Sequence, residues 1–120
     1  MDATYKLHAE LLKAIASPRR LEILHLLGTG PHDVAAMASG IGATQPNVSQ
    51  HLAVLRAAGI VEAQRVGRSV RYALCDPDVM LACELMRGVL RRRIARTRVL
   101  AGLNGRPRAA AIRRRRSATH

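Results

Sequence analysis

Leu7, Leu11, Leu12 and Ile15 recur at spacings of three and four, which predicts an amphipathic helix over residues 4–16. The pattern halts at Ser17-Pro18, where Ser17 can cap and Pro18 can occupy the first turn of a second helix of about ten residues. Leu21, Ile23, Leu24, Leu26 and Leu27 supply its buried face, and Gly28 and Gly30 end it. A third, short helix runs from Asp33 as N-cap through Val34, Met37 and Ala38 to Gly40, with Gly42 in the turn after it. TQPNVSQHLAVLRAAG at 44–59 reads as a fourth helix, with Thr44 as cap, Pro46 in the first turn and Gly59 as stop. The period then drops to two. Residues 60–66 and 69–74 alternate around Gly67-Arg68, which predicts a two-stranded hairpin with arginine at its tip. A final helix from Asp78 to about residue 100 places Leu81, Leu85, Val89 and Leu90 along one side.

The fourth helix carries the first functional signal. Val48, Leu52 and Leu55 form one apolar stripe, which leaves Gln45, Asn47, Ser49, Gln50 and His51 largely off the core side. Amides and hydroxyls crowded at the N-terminal end of a short helix suit insertion into a DNA major groove. Three helices ending in such a helix, then an Arg-tipped hairpin, describe a mainly α fold with a small β-hairpin wing: a dimeric winged helix-turn-helix. Gln45, Asn47, Ser49 and Gln50 are expected to meet DNA, and Arg65, Arg68 and Arg71 to hold phosphates or reach a minor groove. The long last helix needs a partner for its apolar face, and a second copy of the chain supplies one.

Charge agrees with this reading. The 120 residues carry 20 Lys plus Arg against 8 Asp plus Glu, a formal net charge of +12, which points to a polyanionic partner. Only Lys6 and Lys13 are lysines, and the planar guanidinium suits phosphate oxygens and guanine edges. Segment 106–120 holds six Arg and no acid, so residues 103–120 are expected to be a disordered basic tail behind a domain at 1–102. With two Tyr and no Phe or Trp, the core must be aliphatic. No apolar run approaches the roughly 18 residues of a membrane span and no secretory signal is present, so a cytoplasmic chain is expected. No phosphate loop, nucleophile elbow, HExxH or paired catalytic carboxylate occurs, which argues against an enzyme.

Three linked stretches extend the reading. IASPRRLEILHLL at 15–27, TQPNVSQHLAVLRAAGIV at 44–61 and QRVGRSVRYAL at 64–74 resemble the second helix, recognition helix and wing of the ArsR/SmtB winged-helix repressors. The resemblance covers roughly residues 5–95. It implies a homodimer joined through the first and last helices, bound to an inverted-repeat operator and released by an effector. It also implies that Gln45, Ser49 and Gln50 lie nearest the bases.

The effector positions depart from that family. Where the family's third-helix site resembles ELCVCDL, this chain has PHDVAAM, with Asp33 and Ala35 in place of the thiolates, so a soft arsenite or cadmium site of that type is absent. Positions matching the last-helix site are Cys75, Asp78, Gly88 and Arg92, of which only the first two can ligate. The remaining donors, His8, His32, Asp33, His51, Cys75 and Cys83, lean towards nitrogen and oxygen, which suits Ni or Zn, and the ligands are expected among His8, His32, Asp33, Cys75 and Asp78. A thiol switch using Cys75 and Cys83, or an architectural DNA-binding protein without an effector, are the alternatives.

Overall fold

The computed structural model describes residues 2–103. The elements are α1 (Ala3–Ile15), α2 (Pro18–Leu27), α3 (Val34–Ile41), α4 (Gln45–Ala57), β1 (Val61–Val66), β2 (Ser69–Leu74) and α5 (Asp78–Leu103). Every expected element is present, and α5 runs past its expected end. Beyond Leu103, the segment read as a basic tail lies outside the described residues. Two compact units divide the chain between Cys83 and Glu84.

Local chemistry sets the helix starts. Ser17 Oγ accepts the Arg20 N–H at 3.4 Å, Asp33 Oδ1 the Ala36 N–H at 2.7 Å, and Thr44 Oγ1 the Asn47 N–H at 3.2 Å. Each satisfies one of the free N–H groups of a first turn. Asp2 does the same for α1, accepting the Thr4 N–H at 2.9 Å, and that bond holds its carboxyl below the ordinary carboxylate range.

The first unit is built on an aliphatic core of Ile23, Leu24 and Leu27 from α2, Met37 and Ala38 from α3, Val48, Leu52 and Leu55 from α4, and Ile60 and Val61 at the start of the hairpin. Tyr72 and Leu74 of β2 and Val79 and Cys83 of α5 pack on its margin. Leu21, expected inside, is 44% exposed because the turn of α2 sets it on the flank of the Ile23–Leu24–Leu27 stripe. Gly28 is required by close approach: a Cβ there would fall 2.7 Å from Met80 Cγ, so Met80 occupies the space that a side chain would need.

Strands β1 and β2 pair antiparallel from Val61↔Leu74 to Val66↔Ser69. Gly67 takes φ +62 in the two-residue loop, and no non-glycine described residue has a positive φ. That is the pattern of a type II′ turn, whose twist matches the strands it joins. A contact that sequence reading missed adds a third, one-residue rung. His32 N–H donates to Tyr72 O at 3.1 Å and Tyr72 N–H to His32 O at 2.8 Å, tying the α2–α3 connection to β2.

In the second unit, residues 84–103 of α5 carry Leu85, Met86, Val89, Leu90, Ile94, Val99 and Leu100, all exposed in the single chain. Six arginines stand among them, against one carboxylate, Glu84.

Candidate nucleic-acid interface

Helix α4 presents two different faces. Val48, Leu52 and Leu55 are at most 1% exposed, whereas Gln45, Pro46, Ser49, Gln50 and Ala53 face outward. Asn47 and His51 were expected among the outward group, but the helical turn brings both towards the inner flank, where they are half-buried. His51 Nδ1 accepts a hydrogen bond from Arg20 Nε at 3.2 Å, and Asn47 Oδ1 is buried without a partner among the described residues. The outward polar set nearest the N-terminus of α4 is therefore Gln45, Ser49 and Gln50.

The hairpin register separates the three wing arginines. Val61, Ala63 and Arg65 share the core-side face with Leu74, Tyr72 and Val70, whereas Arg71 pairs with Gln64 on the opposite face. There Gln64 Nε2 donates to Glu62 Oε1 at 3.1 Å, which leaves a carboxylate near Arg71. Arg68 occupies the turn itself. All three arginines are exposed.

Between α4 and β2 lies an open cleft of about 360 Å³, lined by Ser49, Leu52, Ala53, Arg56, Ala57 and Tyr72. Neither Arg56 nor Tyr72 stood out in the sequence, because a single basic residue and a strand tyrosine carry no local signal. Arg19 and Arg20 did carry one. Two cations in the first turn of α2 oppose its macrodipole, which implies that they serve something other than their own helix. Arg19 Nη1 donates to Ile41 O of α3 at 2.8 Å, and Arg20 Nη1 to Ala14 O and Lys13 O of α1 at 2.9 and 3.4 Å. The pair thus satisfies carbonyls at the C-terminal ends of two neighbouring helices.

The metal-donor candidates are dispersed. Exposed His8 lines a cleft of about 530 Å³ with Thr4, Leu7, Glu10, Leu11, Ala57 and Ala58. His32 is half-buried, and its Nδ1 lies 2.7 Å from Gly30 O. Since a carbonyl only accepts, Nδ1 carries the hydrogen and Nε2 is the nitrogen left to receive a partner. Asp33 uses Oδ1 to cap α3, and Cys75 is exposed, with its N–H bonded to Ile60 O at 3.0 Å. Asp78 is exposed at the start of α5. Among the described residues no group of three or more His, Cys, Asp or Glu gathers into a metal-holding cluster, because these donors stand on α1, the α2–α3 connection, the β2–α5 connection and the first residue of α5.

A short helix with outward amides and a hydroxyl, seated on a three-helix core and followed by an Arg-tipped hairpin, defines a winged helix-turn-helix DNA-binding domain. Residues 17–63 match the family described as bacterial regulatory protein, arsR family. The HTH-type transcriptional regulator Rv0081 of Mycobacterium tuberculosis (strain ATCC 25618 / H37Rv) is 40% identical over 92 residues, 76% of this chain and 81% of that protein. The crystal structure of M. tuberculosis Rv0081 superposes with TM-score 0.70 at 38% identity, covering 79% of this chain and 96% of that one. The homodimeric winged helix-turn-helix DNA-binding domain of Mb0332 from Mycobacterium bovis matches with TM-score 0.71 at 34% identity, over 77% of this chain and 85% of that one. The cadmium metal-sensor CMTR from M. tuberculosis matches with TM-score 0.57 at 42% identity, over 63% of this chain and 79% of that one. The chain belongs to the ArsR family, a family of transcriptional regulators rather than of enzymes. Among the described residues no helix is long and apolar enough to cross a membrane.

Proposed function

We propose that this regulator works as a homodimer on an inverted-repeat operator, with Gln45, Ser49 and Gln50 of each copy in a major groove and Arg65, Arg68 and Arg71 on the flanking backbone. The observation that carries this is the division of α4 into a fully buried apolar stripe and an outward face of amides and a hydroxyl, beside an Arg-bearing wing. Base-edge contacts discriminate between sequences and phosphate contacts supply affinity. Gln50→Ala should therefore shrink the ratio of operator to scrambled-duplex affinity, by about 1–3 kcal/mol if its bidentate contact is lost. Arg68→Ala should weaken both duplexes alike. Anisotropy titrations with a duplex selected from a random pool test this, and an unchanged ratio for Gln50→Ala would show that α4 is misassigned.

The effector is proposed to be a divalent ion, Ni or Zn, held by some of His8, His32, Asp33, Cys75 and Asp78. His32 supports this, since a ring whose Nδ1–H is bonded to a carbonyl is oriented as metal-binding histidines are. Among the described residues of one chain no full ligand set gathers, so the site is proposed to be completed by donors from both copies. Bound there, the ion would supply a crosslink that favours one dimer geometry.

A further inference from the structure

We propose that the cleft between α4 and β2 seats the phosphodiester backbone of duplex DNA, with Arg56 and Tyr72 as binding residues beside Ser49. The inference rests on α4 being the recognition helix and adds the element that grips the strand bordering the groove.

The cleft has an apolar floor and a polar rim. Leu52 belongs to the core, and Ala53 and Ala57, one turn apart, present only methyl groups, so the floor is low enough for another molecule's backbone to approach. Around it stand two hydroxyls and a guanidinium, those of Ser49, Tyr72 and Arg56. Their side chains make no hydrogen bond or ion pair among the described residues, so all three are available to a ligand. Three hydrogen-bond donors, one of them a fixed cation, match a group that only accepts and carries negative charge.

Two further features favour a duplex over a small anion. The cleft is open, whereas small-molecule sites enclose most of their ligand. It is also continuous with the outward face of α4, because Ser49 belongs to both, and Arg56 stands about 10 Å further along the helix axis at 1.5 Å per residue. A strand tracking from Ser49 to Arg56 would pass Tyr72 and meet Arg65, which shares the Tyr72 face of the hairpin one rung nearer its tip. The wall is also held in place. Tyr72 is bonded through its peptide groups to His32 on one side and sits in the ladder opposite Ala63 on the other, so the phenol is carried on backbone braced at both edges.

The test measures affinity for a selected operator duplex and a scrambled duplex over a salt series, with full-length wild type, Arg56→Gln, Arg56→Lys, Tyr72→Phe and Gln50→Ala. Arg56→Gln should weaken both duplexes by one common factor and lower the log-log salt slope by about one. Arg56→Lys should keep the slope, and Tyr72→Phe should cost about 2- to 10-fold on both duplexes, the worth of one hydrogen bond. Thermal melting identifies any variant that fails to fold, and Tyr72→Phe, which removes one oxygen, keeps the question answerable if Arg56→Gln does. Unchanged slopes and affinities in both Arg56→Gln and Tyr72→Phe overturn the seat. So does saturable binding of inorganic phosphate that Arg56→Gln abolishes while DNA affinity stays intact, since the cleft would then serve a free anion. If Gln50→Ala leaves discrimination intact while Arg56→Gln still lowers the slope, the assignment of α4 to base reading fails and the backbone seat stands.

Discussion

Arg20 on α2 donates from Nε to Nδ1 of His51 on α4 at 3.2 Å, while its Nη1 reaches the C-terminal carbonyls of α1. One guanidinium therefore joins three helices and sets the inner flank of the helix proposed to read DNA. Arg20→Gln should lower stability by about 1–3 kcal/mol, since it strands carbonyls as well as removing bonds. In urea unfolding, a double-mutant cycle with His51→Ala should show coupling of roughly 0.5–1.5 kcal/mol. Additive effects would mean that the Arg20–His51 contact carries no energy.

Asp2 gives a pH dependence whose sign follows from its cap. The Thr4 N–H bond lowers the carboxyl's folded-state pKa, so its contribution is present above the unfolded carboxylate range and is lost as pH falls through the lowered value. Asp2→Ala should be less stable than wild type at neutral pH, with the gap closing in acid. Asp2→Asn, which still accepts a hydrogen bond, should show a smaller gap at neutral pH. Melting curves across pH decide it, and a gap that stays constant would remove the charge from the explanation.

The helix starts were legible because their causes are local: Ser17-Pro18, Asp33 and Thr44 act on backbone N–H groups within three residues. The wing was legible for the same reason, through alternation and Gly67. What escaped depends on contacts between distant residues. His32 and Tyr72 are paired although far apart in sequence, and nothing in either neighbourhood announces it. Arg19 and Arg20 looked like two more members of a large positive excess, yet they are engaged with internal carbonyls, so formal charge overstates the arginine free for DNA. Asn47 and His51 were placed off the core side by the Val48–Leu52–Leu55 stripe, whereas they flank that stripe closely enough to be half-buried.

The apolar surface left on one chain predicts self-association. Leu7 on α1 and Leu85 and Val89 on α5 are 63%, 64% and 51% exposed, apolar side chains that a second copy would cover. Light scattering at micromolar concentration should give the mass of a dimer, and Leu7→Glu with Leu85→Arg should give that of a monomer. Because two half-sites engaged together gain effective concentration, the monomeric variant should bind a two-half-site operator about 100-fold more weakly or worse. A wild-type monomer would defeat this prediction.

A metal site of the proposed kind needs ligands from more than one chain. His32 is the donor best prepared for it, with Nδ1–H held by Gly30 O and Nε2 open, while His8 stands exposed on α1. The same His32 is bonded through its peptide to Tyr72, so an ion that shifts His32 would also displace the wall of the α4–wing cleft. Under the proposed metal site and backbone seat, this pairing would link effector to DNA contact. An ion that prefers one dimer geometry by about 1–3 kcal/mol should change operator affinity about 5- to 150-fold. Calorimetric titration of reduced wild type with Ni and Zn should show binding at about one ion per chain, because the two-fold symmetry of a dimer duplicates any site that the copies share, and His32→Ala should weaken it more than His8→Ala. Operator affinity, measured in parallel, should respond to metal in wild type and not in the His8→Ala, His32→Ala double variant. Metal binding that survives the double variant would place the site elsewhere. A wild-type operator affinity indifferent to both ions would reject a metal effector and turn attention to the exposed thiol of Cys75.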